Sequence, residues 1–286
     1  MLRFAALALT PLLLSACASD SGSAPGPGSG DYADEMHAQH AGETPVASGA
    51  TEGAAGLDVT VTPVAYGVSA TGDTLRGQLV APTGAPADLP GLIVIHEWWG
   101  LNGNVVDQAR RLADQGYAAL AVDLYGGETA DTPDAAMALM RAVDEAAATD
   151  NLRQAYAFLD GRGAPRVGSV GWCFGGGQSL NAALALPTQL DAAVVYYGQP
   201  VTDVGRLATL RLPVLGLFGA DDTSFPPELL DAFEAALAEA GVEHEIVVYP
   251  DADHAFANPS GERYQPEAAR AAWAQTTAFL AEHLEP

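Results

Sequence analysis

The chain alternates short, fully apolar runs with longer stretches in which apolar residues recur every three or four positions. Leu92–Ile95, Ala118–Val122, Val167–Gly171, Ala193–Tyr197, Val214–Phe218 and His244–Tyr249 read as strands. Helical spacing predicts helices around Asn104–Gln115, Pro133–Ala147, Asp150–Asp160, Gln178–Leu186, Pro227–Ala240 and Gln265–Leu284. Two β-rich runs, Val59–Ala70 and Thr74–Ala81, flank Thr71-Gly72-Asp73 and predict an opening hairpin. Strands that are apolar on both sides and separated by helices imply a mostly parallel sheet covered on both faces. The expectation is an α/β fold with about eight strands, the first two antiparallel.

Ahead of the hairpin the pattern changes twice. Residues 1–16 carry Arg3, an apolar Leu/Ala/Phe run and Leu14-Ser15-Ala16 directly before Cys17, which together read as a secretory signal. Leu-Ser-Ala-Cys resembles a bacterial lipobox, so Cys17 is expected to be the lipidated first residue of an exported protein anchored to a bacterial membrane. Residues 17–56 hold Gly, Ser, Ala, Pro and acids with few large apolar side chains, a composition expected of a flexible tether. His37 and His40 lie in this stretch without a third ligand, so no metal site is expected there. Residues 57–286 are long enough for one domain with a large core. A net charge of −24 argues against nucleic acid and anionic lipid as electrostatic partners.

The chemistry centres on Gly171-Trp172-Cys173-Phe174-Gly175, a Gly-x-Cys-x-Gly turn between a strand and a helix. This is the pattern of a nucleophile elbow with sulfur in place of oxygen, and it points to the α/β-hydrolase layout. Glycines two before and two after the nucleophile leave room where a side chain would strike neighbouring backbone. The turn also sets the thiol at the positive end of the helix, where thiolate is favoured. If Cys17 is acylated, Cys173 has no partner for a disulfide, since the chain holds two cysteines. Other readings of the glycines fail: all twelve basic residues are Arg, so no P-loop Lys exists, and Gly-x-Gly-x-x-Gly is absent.

A thiol near neutral pH needs a base, and in such folds active residues lie beyond the carboxyl ends of strands. His254, on a loop after His244–Tyr249, is the best base, because the fold's order of nucleophile, acid and His requires a late His. Asp221 and Asp222 follow the strand ending at Phe218; Asp222 is the preferred partner of His254, with Asp221 as a turn residue. His96-Glu97-Trp98-Trp99-Gly100 follows Leu92–Ile95, where an oxyanion-hole loop belongs, and Gly100 rules out a zinc-protease reading of His-Glu. The backbone N–H groups of Trp98 and Phe174 are the candidate oxyanion donors.

These motifs together resemble the dienelactone hydrolase family, the carboxymethylenebutenolidases. The resemblance runs from about Thr60 to Leu284 and rests on His96–Asn102, Asp123-Leu124-Tyr125, Gly171–Gly176, Asp222 with Pro226, and His254-Ala255-Phe256. It implies a cofactor-free hydrolase of esters or lactones with a Cys173–His254–Asp222 triad, and it makes Glu97 the group that takes the thiol proton. It also implies a pocket of Trp99, Tyr125, Phe225 and Phe256. The family's dienelactone enzymes clasp a substrate carboxylate with two arginines, whose places here read Gly126-Gly127-Glu128 and Ala257-Asn258-Pro259. A bidentate guanidinium is hard to replace, so a more apolar ester is expected than dienelactone.

Overall fold

The computed structural model describes residues 34, 36–38, 40–45 and 58–285. Eight strands form one sheet: β1 (Val59–Val68), β2 (Thr74–Pro82), β3 (Gly91–Ile95), β4 (Ala118–Val122), β5 (Val167–Trp172), β6 (Ala192–Tyr196), β7 (Val214–Gly219) and β8 (His244–Tyr249). Their order is β1-β2-β4-β3-β5-β6-β7-β8. β1 and β2 are an antiparallel hairpin and β2 joins β4 antiparallel, while every pair from β4 through β8 is parallel. This is the architecture expected from the apolar runs, and the reason is visible in β3, β4, β5, β6 and β7, whose residues are all buried. Each fully buried Leu, Ile or Val there contributes about 1.5–3 kcal/mol.

Among the described residues, six helices lie between the strands, α1 (Gly103–Asp114), α2 (Pro133–Ala142), α3 (Glu145–Gly161), α4 (Phe174–Ala185), α5 (Val204–Leu207) and α6 (Pro227–Glu239), and α7 (Pro266–Leu284) follows β8. They lie on opposite sides of the sheet. A Cβ on Gly168 would stand 2.9 Å from Leu284 of α7, whereas one on Gly171, on the other face of β5, would stand 2.0 Å from the Gly175 carbonyl oxygen of α4. α3 packs on α4, and α1 meets α7 where Arg111 stacks over Trp273.

Two boundaries differ from the pattern-based expectation. The helix read as Pro133–Ala147 ends at Ala142, because Asp144 turns out of it and caps α3 by accepting from Ala147 N at 2.8 Å. Helix α4 begins at Phe174 rather than Gln178, so Gly175, Gly176 and Gly177 are helical despite their low propensity. Packing decides this: a Cβ on Gly175 would sit 2.4 Å from Ile95 O and 2.5 Å from His96 O. Of the stretch read as tether, only residues 34, 36–38 and 40–45 are described, and Met36 and His40 among them are buried. The signal segment, Cys17 and the rest of that stretch lie outside the described residues.

Candidate active site

Four strands of the parallel part of the sheet deliver the chemistry at their carboxyl ends, β3 beside β5 and β7 beside β8, with β6 between the two pairs. Cys173 follows β5, Glu97 follows β3, Asp222 follows β7 and His254 follows β8. Cys173 has φ 55° and ψ −121°, a backbone conformation rarely adopted outside glycine. Hydrogen bonds hold it there: its N–H donates to Tyr196 O at 3.0 Å, and its carbonyl accepts from Gly176 N at 2.9 Å. The thiol is 1 % exposed at the start of α4. Phe174, the first helical residue, has an N–H with no intrahelical acceptor. Trp98 N–H likewise donates to no acceptor among the described residues.

His254 is completely buried, and its Nδ1–H donates to Asp222 Oδ2 at 2.8 Å. The other Asp222 oxygen accepts from Ser224 N at 2.9 Å, so the carboxylate is fixed by two donors. Asp221 is exposed and plays no part in this bond, which separates the two adjacent acids. Burial disfavours a charged imidazole. The negative charges of Asp222 and Cys173 outweigh that penalty and push the His254 pKa up to about 10. Its Nε2 makes no close hydrogen bond among the described residues and is left to interact with the Cys173 sulfur. Tyr197 and Phe225 hold the ring, with centroids 5.1 and 5.8 Å from it.

Glu97 lines the same cavity as Cys173. One of its oxygens, Oε2, accepts from Asn258 Nδ2 at 2.5 Å, and the other has no partner. Burial pushes its pKa up to about 7, with His254 working in the opposite direction and Glu43 adding to the rise. Asn258 is itself braced, its Oδ1 accepting from Ser260 N at 2.9 Å and Ser260 Oγ at 2.6 Å. His96, by contrast, is structural. Its Nε2 accepts from Leu124 N at 3.2 Å, which fixes Nδ1 as the donor to Glu97 O at 2.6 Å and ties the ends of β3 and β4 together.

The aromatic set divides on inspection. Trp98 and Trp99 line the cavity beside Cys173. Of the other expected pocket residues, Tyr125, Phe225 and Phe256 do not line this cavity. Tyr125 packs between His96 and Phe174, Phe225 between Phe218 and His254, and Phe256 between Tyr197 and Tyr249. They support the reacting groups from behind. Ala257-Asn258-Pro259 brings no Arg, but Arg263, further along the same loop, lines the cavity. Sequence reasoning missed Asn258, Tyr197 and Arg263, and no local motif marks them. His37 and His40 face different partners, His37 Nε2 meeting Asp134 at 2.6 Å and His40 Nδ1 meeting Glu43 at 2.6 Å.

Comparison with known proteins follows the same outline. Residues 75–284 match the family model described as the dienelactone hydrolase family. A protein of Salmonella typhimurium provisionally named carboxymethylenebutenolidase is 34% identical over 232 residues, covering 76% of this chain and 86% of that protein. A protein of Saccharolobus solfataricus with the same provisional name is 30% identical over 228 residues, covering 66% of this chain and 88% of its own length. The crystal structure of a Klebsiella pneumoniae protein provisionally named dienelactone hydrolase superposes with a TM-score of 0.72 at 31% identity. The match covers 79% of this chain and 99% of that one.

Proposed function

The chain belongs to the dienelactone hydrolase family and is a hydrolase of esters or lactones, and from that premise we propose that it acts on apolar esters through a thioester on Cys173. The observation that carries this reading is a buried thiol on a strained turn at a helix start, beside a buried His254 paired at 2.8 Å with Asp222. Apolar substrates are supported by Trp98 and Trp99 in the cavity wall.

In the proposed reaction the sulfur attacks the carbonyl carbon, and the developing oxyanion takes hydrogen bonds from the N–H groups of Trp98 and Phe174. The C–O bond to the alcohol breaks as His254 passes its Nε2 proton to the departing oxygen, leaving a thioester and a neutral imidazole. Water then gives a proton to His254 as its oxygen attacks the thioester carbon. Collapse expels the sulfur as thiolate beside the restored imidazolium and releases the acid. Glu97 takes the thiol proton when the enzyme is first charged. No cofactor is required. Purified protein is expected to release nitrophenol from short acyl esters, and a panel of acyl esters, lactones, thioesters and peptides reads the preference; release only from peptides contradicts the proposal.

The pH profile follows from the two shifted groups. Below about pH 7 Glu97 becomes protonated and cannot accept the thiol proton, so kcat/KM is expected to fall toward acid. Above about pH 10 His254 loses the proton it must donate, so kcat/KM falls again. Glu97→Gln is expected to abolish the acid limb while leaving the alkaline one; an unchanged acid limb removes Glu97 from the mechanism.

We further propose that Cys17 carries a lipid that holds the exported protein at a bacterial membrane, supported by Leu14-Ser15-Ala16-Cys17 behind an apolar run. Growth with a radiolabelled fatty acid is expected to label the chain, and Cys17→Ser to lose the label. An unlabelled chain contradicts the anchor.

A further inference from the structure

The cavity at Cys173 has a wall that comes from outside the domain. His40, Glu43, Thr44 and Pro45 line it together with Glu97, Trp98, Trp99 and Arg263. The free volume left is about 10 Å³, about enough for one water. An acetyl group, the smallest common acyl unit, is larger than that. Cys173 is 1 % exposed, so an incoming ester meets this wall before the sulfur.

The wall is a strap laid across the strand ends. Met36 is fully buried, with Ser224 Oγ 3.9 Å from its sulfur, just past the acid that orients His254. His40 is 2 % exposed and stands 4.6 Å from the Trp98 ring and 5.6 Å, edge to face, from His254. Burial keeps it neutral, with a pKa lowered to about 4, so it fills space over the catalytic ring without repelling it. Glu43 accepts from His40 at 2.6 Å and pairs with Arg263 at 3.0 Å. Upstream, Asp34 pairs with Arg141 and His37 with Asp134 of α2, on exposed surface. Exposed ion pairs hold weakly, so this upstream end of the strap is fastened by contacts that can be released.

We propose that residues 36–38 and 40–45 close the active site, with His40 as the plug and the Glu43–Arg263 pair as the latch, and that they must lift before Cys173 meets a substrate. Closure shields the thiol, and substrates compete with the strap for the space over His254. This rests on Cys173 as the reactive group, and the thiol itself is read in the test, so failure of the strap and failure of ester hydrolysis are told apart.

The experiment is alkylation of Cys173 in the full chain, followed on its own peptide by mass spectrometry, with iodoacetamide and with the bulkier N-phenylmaleimide. His40→Ala is expected to speed alkylation about tenfold, as for an open population rising from about 1 % to about 10 %. Glu43→Gln is expected to act in the same direction. The gain is expected to be larger for the bulky reagent, which distinguishes a lifted strap from a change in charge near the sulfur. Melting curves that superpose on the parent's exclude unfolding as the cause. Unchanged rates in both variants, or equal gains for both reagents, overturn the proposal.

Discussion

Cys173→Ala is expected to lower kcat/KM for a short nitrophenyl ester by about 10,000-fold, which is about 5 kcal/mol of transition-state stabilisation. In the proposed mechanism the sulfur is the atom to which the acyl group is transferred, and no other nucleophile among the described residues shares its position at the start of α4, beside His254 and Glu97. What survives is the contribution of the N–H donors and of substrate binding, which holds water near the carbonyl without a covalent intermediate. Folding is expected to survive as well. Alanine deletes one sulfur at a position whose strained backbone is held by Tyr196 O and the amides of α4, so the melting temperature shifts little. Activity within tenfold of the parent in a folded variant removes the thioester from the mechanism.

Asp222→Asn has the second largest expected effect, a loss of about 1,000-fold or more in kcat. The amide can still accept from His254 Nδ1–H through its oxygen. It carries no charge, however, so the attraction that outweighs burial at His254 is lost. The alkaline limb of the pH profile is expected to move down from about pH 10, because the imidazole loses its proton earlier. Asp221→Asn is the matched control. Asp221 is exposed and its backbone N–H donates to Ala252 O, so removal of its charge is expected to change kcat less than about twofold. Equal losses at both positions contradict the assignment of roles.

The sheet was legible because burial on both faces leaves a distinctive trace: β3 to β7 are short apolar runs with no alternation. The candidate site was legible for a related reason. Each of its candidate residues stands within a few residues of a strand's carboxyl end, so Cys173, Glu97, Asp222 and His254 are found by walking off β5, β3, β7 and β8. Failures occur where tertiary packing overrules local preference. Gly175 and Gly176 are helical because only glycine can approach the ends of β3 and β6 so closely. Phe225 and Phe256 carry the right chemistry for a pocket, yet their rings face His254 and Tyr197. His40 could not be placed from its surroundings, since a run of small and acidic residues gives no periodicity, and its burial depends on Trp98 and His254, distant in the chain.

The central claim is that an acyl group passes through sulfur. Rapid acid quench of the enzyme with excess nitrophenyl acetate, followed by peptide mass spectrometry, measures this directly. The account predicts one acetyl group on the peptide carrying Cys173, released by hydroxylamine and absent from Cys173→Ala. Hydrolysis at full rate with no acyl group on that peptide, or an acyl group equally present in Cys173→Ala, contradicts it.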